Sequence, residues 1–545
     1  MKFNLKKRGV LLGGVALVFI STTAYNNDYF EVAKQLDIFT TLFKEVNMNY
    51  VDETNPANLM EGSVKQMLKD LDPYTTYMNE QDVERARIYQ SGAYVGIGAT
   101  INASKDKLIV VEVYKNLPAD NVGLKAGDEI IKIDGLAVSD LKESATQFLN
   151  GKKNTKVALI YQRNGETKEV VVSRGDLKPK AVPVSKLLES GFGYIALDRF
   201  SKTASKEVEN ALRLMLIDEA EGVILDLRNN PGGLLHEAVK IVNLFVPKGQ
   251  LVVSTKSNIE TYNQTFETKK QPLSIEIPLV ILINQNSASA SEIVAGALQD
   301  LDRAVIIGQR SFGKGLVQKP MPLPYGSQLK VTISRYYTPS GRCIQALDYR
   351  NRGKDGSAVR YDKGQYSTFE TKNGRTVYDG GGINPDVVLG VNNPNKYIEA
   401  LLKSPLIFDY SNAYYHNNTL EKIEGFRLGR KDFDQFIKMS TDEKYGKIGS
   451  SRESIRNLKA TLSKEGFGAL ETYFEDLNAE VRKSKLKLMN TFELDIISVL
   501  EEEIIKRYFY REGMYAHFIS SNIEVFRAQE IMKDSQVYQG ILNVK

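Results

Sequence analysis

Cysteine and histidine are nearly missing from this chain, and their scarcity narrows its chemistry. Among 545 residues Cys343 is the one cysteine, so an intramolecular disulfide and a cysteine-based metal cluster are both excluded. The three histidines, His236, His416 and His517, make a histidine-rich metal site improbable and leave few bases for a serine–histidine triad. Charge excess is lacking as well. The 72 basic and 67 acidic residues nearly cancel, at +5, which gives no electrostatic case for a nucleic-acid partner. No metal and no organic cofactor is expected.

What is present is an ordinary globular composition, 42% hydrophobic and 26% charged, long enough for two to four domains with sizeable cores. The N-terminus carries Lys2, Lys6, Lys7 and Arg8, then an uncharged apolar run from Gly9 to Ala24. A basic segment, an apolar stretch from Val10 to Ile20 and small residues before Tyr25 make an export signal. The same run is a little short for a spanning helix, which needs about 20 residues, but it could stay as an anchor. Residues 1–24 are therefore expected to be a signal peptide or membrane anchor. The protein is expected in the periplasm or cell envelope, touching membrane only through this segment.

Residues 25–90 read as helical, with Phe39, Leu42, Phe43 and Val46 at helical spacing and a break at Leu71-Asp72-Pro73. They suit a packing or oligomerisation module. From residue 91 to 176 the texture becomes short strands and turns. Asn164-Gly165 between Val157–Tyr161 and Val170–Val172 is a strong hairpin signal. Residues 177–395 alternate strands and helices, which predicts an α/β core on a largely parallel sheet. Residues 396–545 have helical periodicity and no motif that can be tied to chemistry.

The stretch around which the chain is organised is Pro278 to Gln318. An apolar strand, Leu279–Ile283, hands over to Asn286-Ser287-Ala288-Ser289-Ala290-Ser291-Glu292 and a helical pattern. A second apolar run, Ala304–Ile307, leads to Gly313-Lys314-Gly315, with Gln318 beyond. By itself Ser289 is a helix cap, with Glu292 completing a capping box. A serine on a strand-to-helix turn is also placed for nucleophilic attack, because the N–H of Ala290 and the helix N-terminus can stabilise an oxyanion. The serine needs a base. His236 is one candidate. Lys314 is the other, and it qualifies only if desolvation brings its pKa down from about 10.4 by several units. If the lysine loop continues as a strand, Lys314 and Gln318 share a face, and Gln318 can hold the amine in place.

Two resemblances rest on these residues. Tyr94-Val95-Gly96-Ile97-Gly98-Ala99, Leu117-Pro118-Ala119, Gly123-Leu124-Lys125-Ala126-Gly127-Asp128 and Ile130–Gly135 together resemble a PDZ domain. There a glycine loop gives N–H groups to a peptide's C-terminal carboxylate. The Ser-Ala-Ser-Ala-Ser-Glu run, Gly313-Lys314-Gly315, Gln318 and the loop Leu225–Gly233 resemble the carboxy-terminal processing peptidases, also called tail-specific proteases. Tyr337–Gly341 and Gly381–Val387 also look like segments of that family. The match runs over residues 30 to 390.

The resemblance implies a crotonase-like or Clp-protease-like α/β core with an inserted PDZ domain, beside which periodicity alone predicts a helical N-terminal region and, beyond the match, a helical C-terminal domain of unread role. It implies Ser289 as nucleophile, Lys314 as general base, Gln318 as its companion and Asp300 as a further catalytic support. Ala290 and Gly233 would donate to the oxyanion, with Gly232 the alternative to Gly233. Tyr94, Val95, Gly96, Ile97 and Gly98 would bind the substrate tail. The expected activity is that of a serine endopeptidase acting on proteins with accessible C-terminal tails. It leaves room for an adaptor or activating lipoprotein and for a homo-oligomer. His236 becomes incidental and Cys343 a structural, unpaired thiol. The rival reading is a catalytically inactive PDZ scaffold, and the core architecture alone would also admit acyl-CoA chemistry.

Overall fold

The two apolar runs that bracket the serine turn are neighbouring parallel strands in the middle of a six-stranded sheet. In this computed structural model, residues 29–543 are described apart from 92–93, 105–106, 354–357, 362–363, 365 and 390–394. The segment expected to direct export, residues 9–24, lies outside the described residues. The sheet runs Val184–Leu187, Gly193–Ala196, Val223–Asp226, Leu279–Ile283, Val305–Gly308, Val387–Val388. Its first strand is antiparallel and the rest are parallel. All five residues of Leu279–Ile283 are buried, because alternate side chains enter two different cores.

Leu279, Ile281 and Ile283 face the helices Ala204–Ile217, Leu235–Val242 and Ala290–Asp300. Val280 and Leu282 face the other way, onto Ile519, Val525, Ala528, Ile531 and Met532. The second layer of the α/β sandwich is thus made by the helices Ile523–Lys533 and Ser535–Ile541, with Tyr538 bonded through its hydroxyl to the backbone of Leu279. The C-terminal region expected as one helical domain therefore has two parts. Its earlier helices, from Lys396–Leu402 to Glu493–Ser521, build a separate core around Phe433, Phe436, Leu500 and Ile504. Its last helices complete the cover of the six-stranded sheet. The long helix Glu493–Ser521 is broken at Tyr510, whose backbone leaves helical space at φ 59°, ψ −163°.

Residues 94–177 form the strand-rich insertion. Strands Ala99–Ser104, Lys107–Val113, Glu129–Ile133, Lys156–Arg163 and Glu166–Ser173 pair in that order, enclosing Leu108, Val110, Leu124, Ile130 and Val157. Asn164 and Gly165 close the last hairpin with φ of 52° and 82°, the left-handed pair that an Asn-Gly turn supplies.

The chain divides into two units, one comprising residues up to Met78 with Pro320–Val331, the other Asn79–Lys319 with Thr332–Lys545. In the first, helices over residues 29–49 and Pro56–Lys69 precede a short strand, Thr76–Met78, that pairs antiparallel with residues 328–330. The helix over 29–49 leaves Tyr29, Phe30, Leu36 and Leu42 largely exposed. The helical N-terminal region expected over 25–90 is divided between the units. Its last helix, Glu80–Ser91, belongs to the second. Among the described residues no helix is long and apolar enough to cross a membrane.

Candidate active site

Two loops emerge side by side from the C-terminal ends of neighbouring strands, and polar side chains stitch them together. Residues 229–233 follow Val223–Asp226, and residues 284–289 follow Leu279–Ile283. Asn229 exchanges hydrogen bonds with Asn284, its N–H donating to Asn284 Oδ1 at 3.0 Å and its Oδ1 accepting from Asn284 Nδ2 at 2.9 Å. Asn286 Nδ2 also donates to Asn229 Oδ1. The Ala288 N–H donates to the Asn230 carbonyl at 3.0 Å. A buried Asn230 side chain spans further, from the Leu197 carbonyl to the Gly232 N–H.

This stitching separates the three serines. Ser287 and Ser291 are fully buried, their hydroxyls donating to the carbonyls of Leu227 and Asn230 at 2.8 and 2.9 Å. Ser289 is partly exposed, on the residue that starts the helix Ala290–Asp300. Its φ of 57° and ψ of −112° lie where a non-glycine residue is strained, at a cost of roughly 1–3 kcal/mol. Such strain is maintained only by fixed surroundings, and here those are the stitched loops and Glu292.

Glu292 was legible only as a capping-box partner, and it does more. Its buried Oε2 accepts the N–H of Ser289 at 2.7 Å and the N–H of Lys314 at 2.9 Å. Oε1 accepts from Ser311 Oγ at 2.5 Å and from the Gly313 N–H at 2.7 Å. One carboxylate thus joins the serine turn to the lysine loop. Burial pushes its pKa up, while the four donors pull against that shift by favouring the charged form. The signal that could have exposed this role is a glutamate buried at the first turn of an apolar helix, where a mere cap would be solvated.

Among the described residues the N–H groups of Ala290 and Gly233 have no acceptor. The Gly232 N–H is already committed to Asn230 Oδ1. Gly232, at φ 96°, lies so close to the serine turn that a Cβ would meet the Ala288 oxygen at 2.6 Å and the Ala290 nitrogen at 2.9 Å. Gly233, at φ 148°, has the Phe200 oxygen 2.4 Å from where its Cβ would be.

The remaining sequence-picked residues are distributed as follows. Lys314 is partly buried between Gly313 and Gly315, which are both buried. Gln318 lies on the strand Leu316–Pro322 and donates to Thr332 Oγ1 at 3.2 Å. Asp300 is not brought to Ser289. It ends the helix that Ser289 begins, about 16 Å along at 1.5 Å per residue. There it is buried against the fully buried Arg342 at 2.7 Å and accepts the Ser340 N–H. His236 is exposed on the helix Leu235–Val242, beside Glu237. Cys343 is a free, partly buried thiol whose pKa burial raises. Among the described residues no group of three His, Cys, Asp or Glu side chains could hold a metal.

In the strand-rich insertion, Tyr94–Gly96 pairs with Gly175–Leu177, and the chain then turns through Ile97 and Gly98 into Ala99–Ser104. Gly98 has φ 82°, and a Cβ there would sit 2.6 Å from Leu117 Cβ. The N–H groups of Ile97 and Gly98 have no acceptor among the described residues, while their carbonyls accept from Ala119 and Tyr114. Val95 is partly buried and Ile97 buried.

An α/β core with a serine turn against a glycine loop, joined to a domain of this kind, defines a serine-type peptidase with a PDZ domain. Residues 191–350 match peptidase family S41, 95–173 match the PDZ domain, 397–532 match a probable PDZ-protease C-terminal helical domain, and 20–82 match the N-terminal domain of the activating protease CtpB. A carboxy-terminal-processing protease of Bartonella bacilliformis is 36% identical over 347 residues, covering 62% of this chain and 79% of that protein. A probable CtpA-like serine protease of Staphylococcus aureus is 33% identical over 334 residues, covering 61% of this chain and 66% of that protein, just short of two thirds of its length. The solved structure of a photosystem II D1 C-terminal processing protease aligns over 64% of this chain and 86% of its own, at 24% identity and a TM-score of 0.36. The chain belongs to the carboxy-terminal-processing protease family.

Proposed function

We propose that this peptidase is an endopeptidase of the cell envelope that grips protein C-termini through its PDZ domain and cuts near them with Ser289 and Lys314. The observation that carries the reading is the shared oxygen of Glu292, which holds the backbones of Ser289 and Lys314 beside each other. Neutral Lys314 takes the proton of Ser289 as Oγ attacks the scissile carbonyl. The N–H groups of Ala290 and Gly233 receive the oxyanion, a contribution worth about 3 kcal/mol per donor in comparable sites. Lys314 passes the proton to the leaving amine, and the acyl-enzyme remains on Ser289. Lys314 then deprotonates a water that attacks the ester, and its proton returns to Ser289.

The tail carboxylate binds at the N–H groups of Ile97 and Gly98, with Tyr94, Val95 and Gly96 framing the loop. Gln318, on the strand that follows the lysine loop, holds the Lys314 amine in place. The partners are unfolded or tagged protein tails. An adaptor lipoprotein and self-association belong to the same reading. Export rests on residues 1–24, and a fusion of these residues to a reporter active only outside the cytoplasm tests it.

The decisive experiment digests an unstructured polypeptide with a free C-terminal carboxylate and identifies the products by mass spectrometry. Ser289→Ala and Lys314→Ala should each abolish cleavage while binding of the tail persists. Full-rate cleavage by Lys314→Ala would remove the dyad. Tail binding without cleavage by the unaltered protein would leave the scaffold reading instead.

A further inference from the structure

The break in the long C-terminal helix puts two consecutive side chains between the PDZ domain and the catalytic core. Arg511 holds Glu112 bidentately, Nε to Oε1 at 2.6 Å and Nη2 to Oε2 at 2.8 Å. With its remaining nitrogen, Nη1, it holds Asp198 Oδ2 at 2.6 Å. Tyr510 donates its hydroxyl to Asp120 at 2.6 Å, and Tyr515 donates to the other oxygen of Asp198 at 2.6 Å. A planar guanidinium suits this arrangement, since one fork serves a carboxylate on each side. Glu112 and Asp198 are mostly buried by the contact, so the pairs are not ordinary surface bridges. The backbone of Tyr510 is strained at φ 59°, a conformation that persists only in fixed surroundings, and these contacts are part of them.

What the two side chains grip is telling at both ends. On the PDZ side, Glu112 stands opposite Thr100 in the register of the first two strands, two residues past Gly98. Just past the end of its strand is Tyr114, whose N–H donates to the Gly98 carbonyl at 3.1 Å. Asp120 follows Ala119, whose N–H donates to the Ile97 carbonyl at 2.7 Å. On the core side, Asp198 lies two residues before Phe200. The Phe200 N–H donates to the Gly232 carbonyl at 3.0 Å, and the Phe200 carbonyl accepts from Leu234 at 2.9 Å. Arg511 therefore braces the backs of two loops, one with the free N–H groups of Ile97 and Gly98 and the other with that of Gly233, and Tyr510 adds to its hold on the first.

We infer that Arg511 and Tyr510 are positioning residues that fix the tail-carboxylate loop at one separation from Ser289, so that the C-terminal helical region sets how far from the substrate's end the cut falls. This rests on the tail-recognition and dyad reading above. Neither residue touches substrate. The clamp acts by making the two binding points one rigid ruler, which gains affinity through effective concentration and confines cleavage to the bonds that reach Ser289.

The test uses the full chain with an unstructured polypeptide of apolar tail, made once with a free C-terminal carboxylate and once as the amide. Cut positions are read by mass spectrometry and kinetics for each form. The unaltered enzyme should prefer the carboxylate form and cut within a narrow window. Arg511→Met and the milder Glu112→Gln should widen that window and lower the carboxylate-to-amide ratio of kcat/KM by about tenfold, mainly through KM. The double variant should be no worse than the more severe single one, because both remove the same link. An unchanged window and ratio in both variants, with the unaltered enzyme still preferring the carboxylate, would overturn the inference alone. Equal cleavage of both forms by the unaltered enzyme would instead remove the tail-recognition reading. An equal loss on both forms, with the window intact, would show a merely structural contact and also overturn the inference.

Discussion

Ser289 and Lys314 donate their backbone N–H groups to the same atom, Oε2 of Glu292, although 25 residues separate them in the chain. As the proposed nucleophile and base, they need a relative position fixed to a fraction of an ångström, and long side chains alone do not give it. Here the main chains are pinned to one buried oxygen.

Glu292→Gln should therefore cost activity far more than stability. An amide presents its own donors to four existing ones, so two contacts turn repulsive and the loops separate. A kcat loss of about a hundredfold, on the order of 3 kcal/mol, is expected with a cooperative melt retained. A variant with unaltered kcat would show that the shared carboxylate does not align the pair.

Gly232→Ala should inactivate without touching any reacting group. Its Cβ would approach the Ala288 oxygen and the Ala290 nitrogen at distances that real Cβ atoms do not show, and its φ is left-handed. The serine turn must shift, and with it the Ala290 N–H that the proposed reading assigns to the oxyanion. Active-site labelling of Ser289 by a fluorophosphonate should slow by at least about tenfold. Labelling at the ordinary rate would contradict the close approach.

Asp300→Asn separates support of the fold from support of the reaction. The substitution leaves buried Arg342 without its carboxylate, which in comparable pairs costs about 3–5 kcal/mol. The melting temperature should fall while kcat per folded molecule stays within about twofold, because the site is some 16 Å from Ser289. A large kcat loss at unchanged melting temperature would restore a catalytic role.

Glu502 makes stability depend on pH. Burial, helped by Glu503 and Glu501 and opposed by Arg228 and Lys506, raises its pKa from 4.5 to about 7. Between these values the folded state keeps a proton that the unfolded chain releases, so stability falls as pH rises from 4.5 to about 7. The total is roughly 3 kcal/mol, and nothing further is lost above that range. Glu502→Gln should melt higher than the unaltered protein at pH 8 and coincide with it near pH 4.5. A gap independent of pH would refute the assignment.

Much of this was legible in the sequence. Leu279–Ile283 and Ala304–Ile307 declared themselves as buried strands because a sheet covered on both faces needs apolar residues at every position. Asn164-Gly165 specified its hairpin through backbone angles alone. Ser289 was singled out by pattern, whereas the burial of Ser287 and Ser291, with hydroxyls committed to Leu227 and Asn230, is tertiary and invisible beforehand. The same holds for the Gly232 N–H, which the side chain of Asn230 occupies. Arg511 gave no sign at all, since an arginine in a lysine- and glutamate-rich helix reads as solvated. Helical periodicity likewise could not tell that residues 519–542 cover the catalytic sheet, because an amphipathic face does not name its partner.

That covering layer bears on how the molecule is made. A ribosome delivers the six strands and both catalytic loops before it delivers Ile523–Lys533, and domains fold as their pieces emerge. Until then Val280, Leu282 and Ile307 have no second layer, and Arg228, at the root of the glycine loop, lacks its partners Asn522 and Glu524. Ser289, the proposed nucleophile, is therefore made more than 200 residues before the helix that completes the layer behind its sheet.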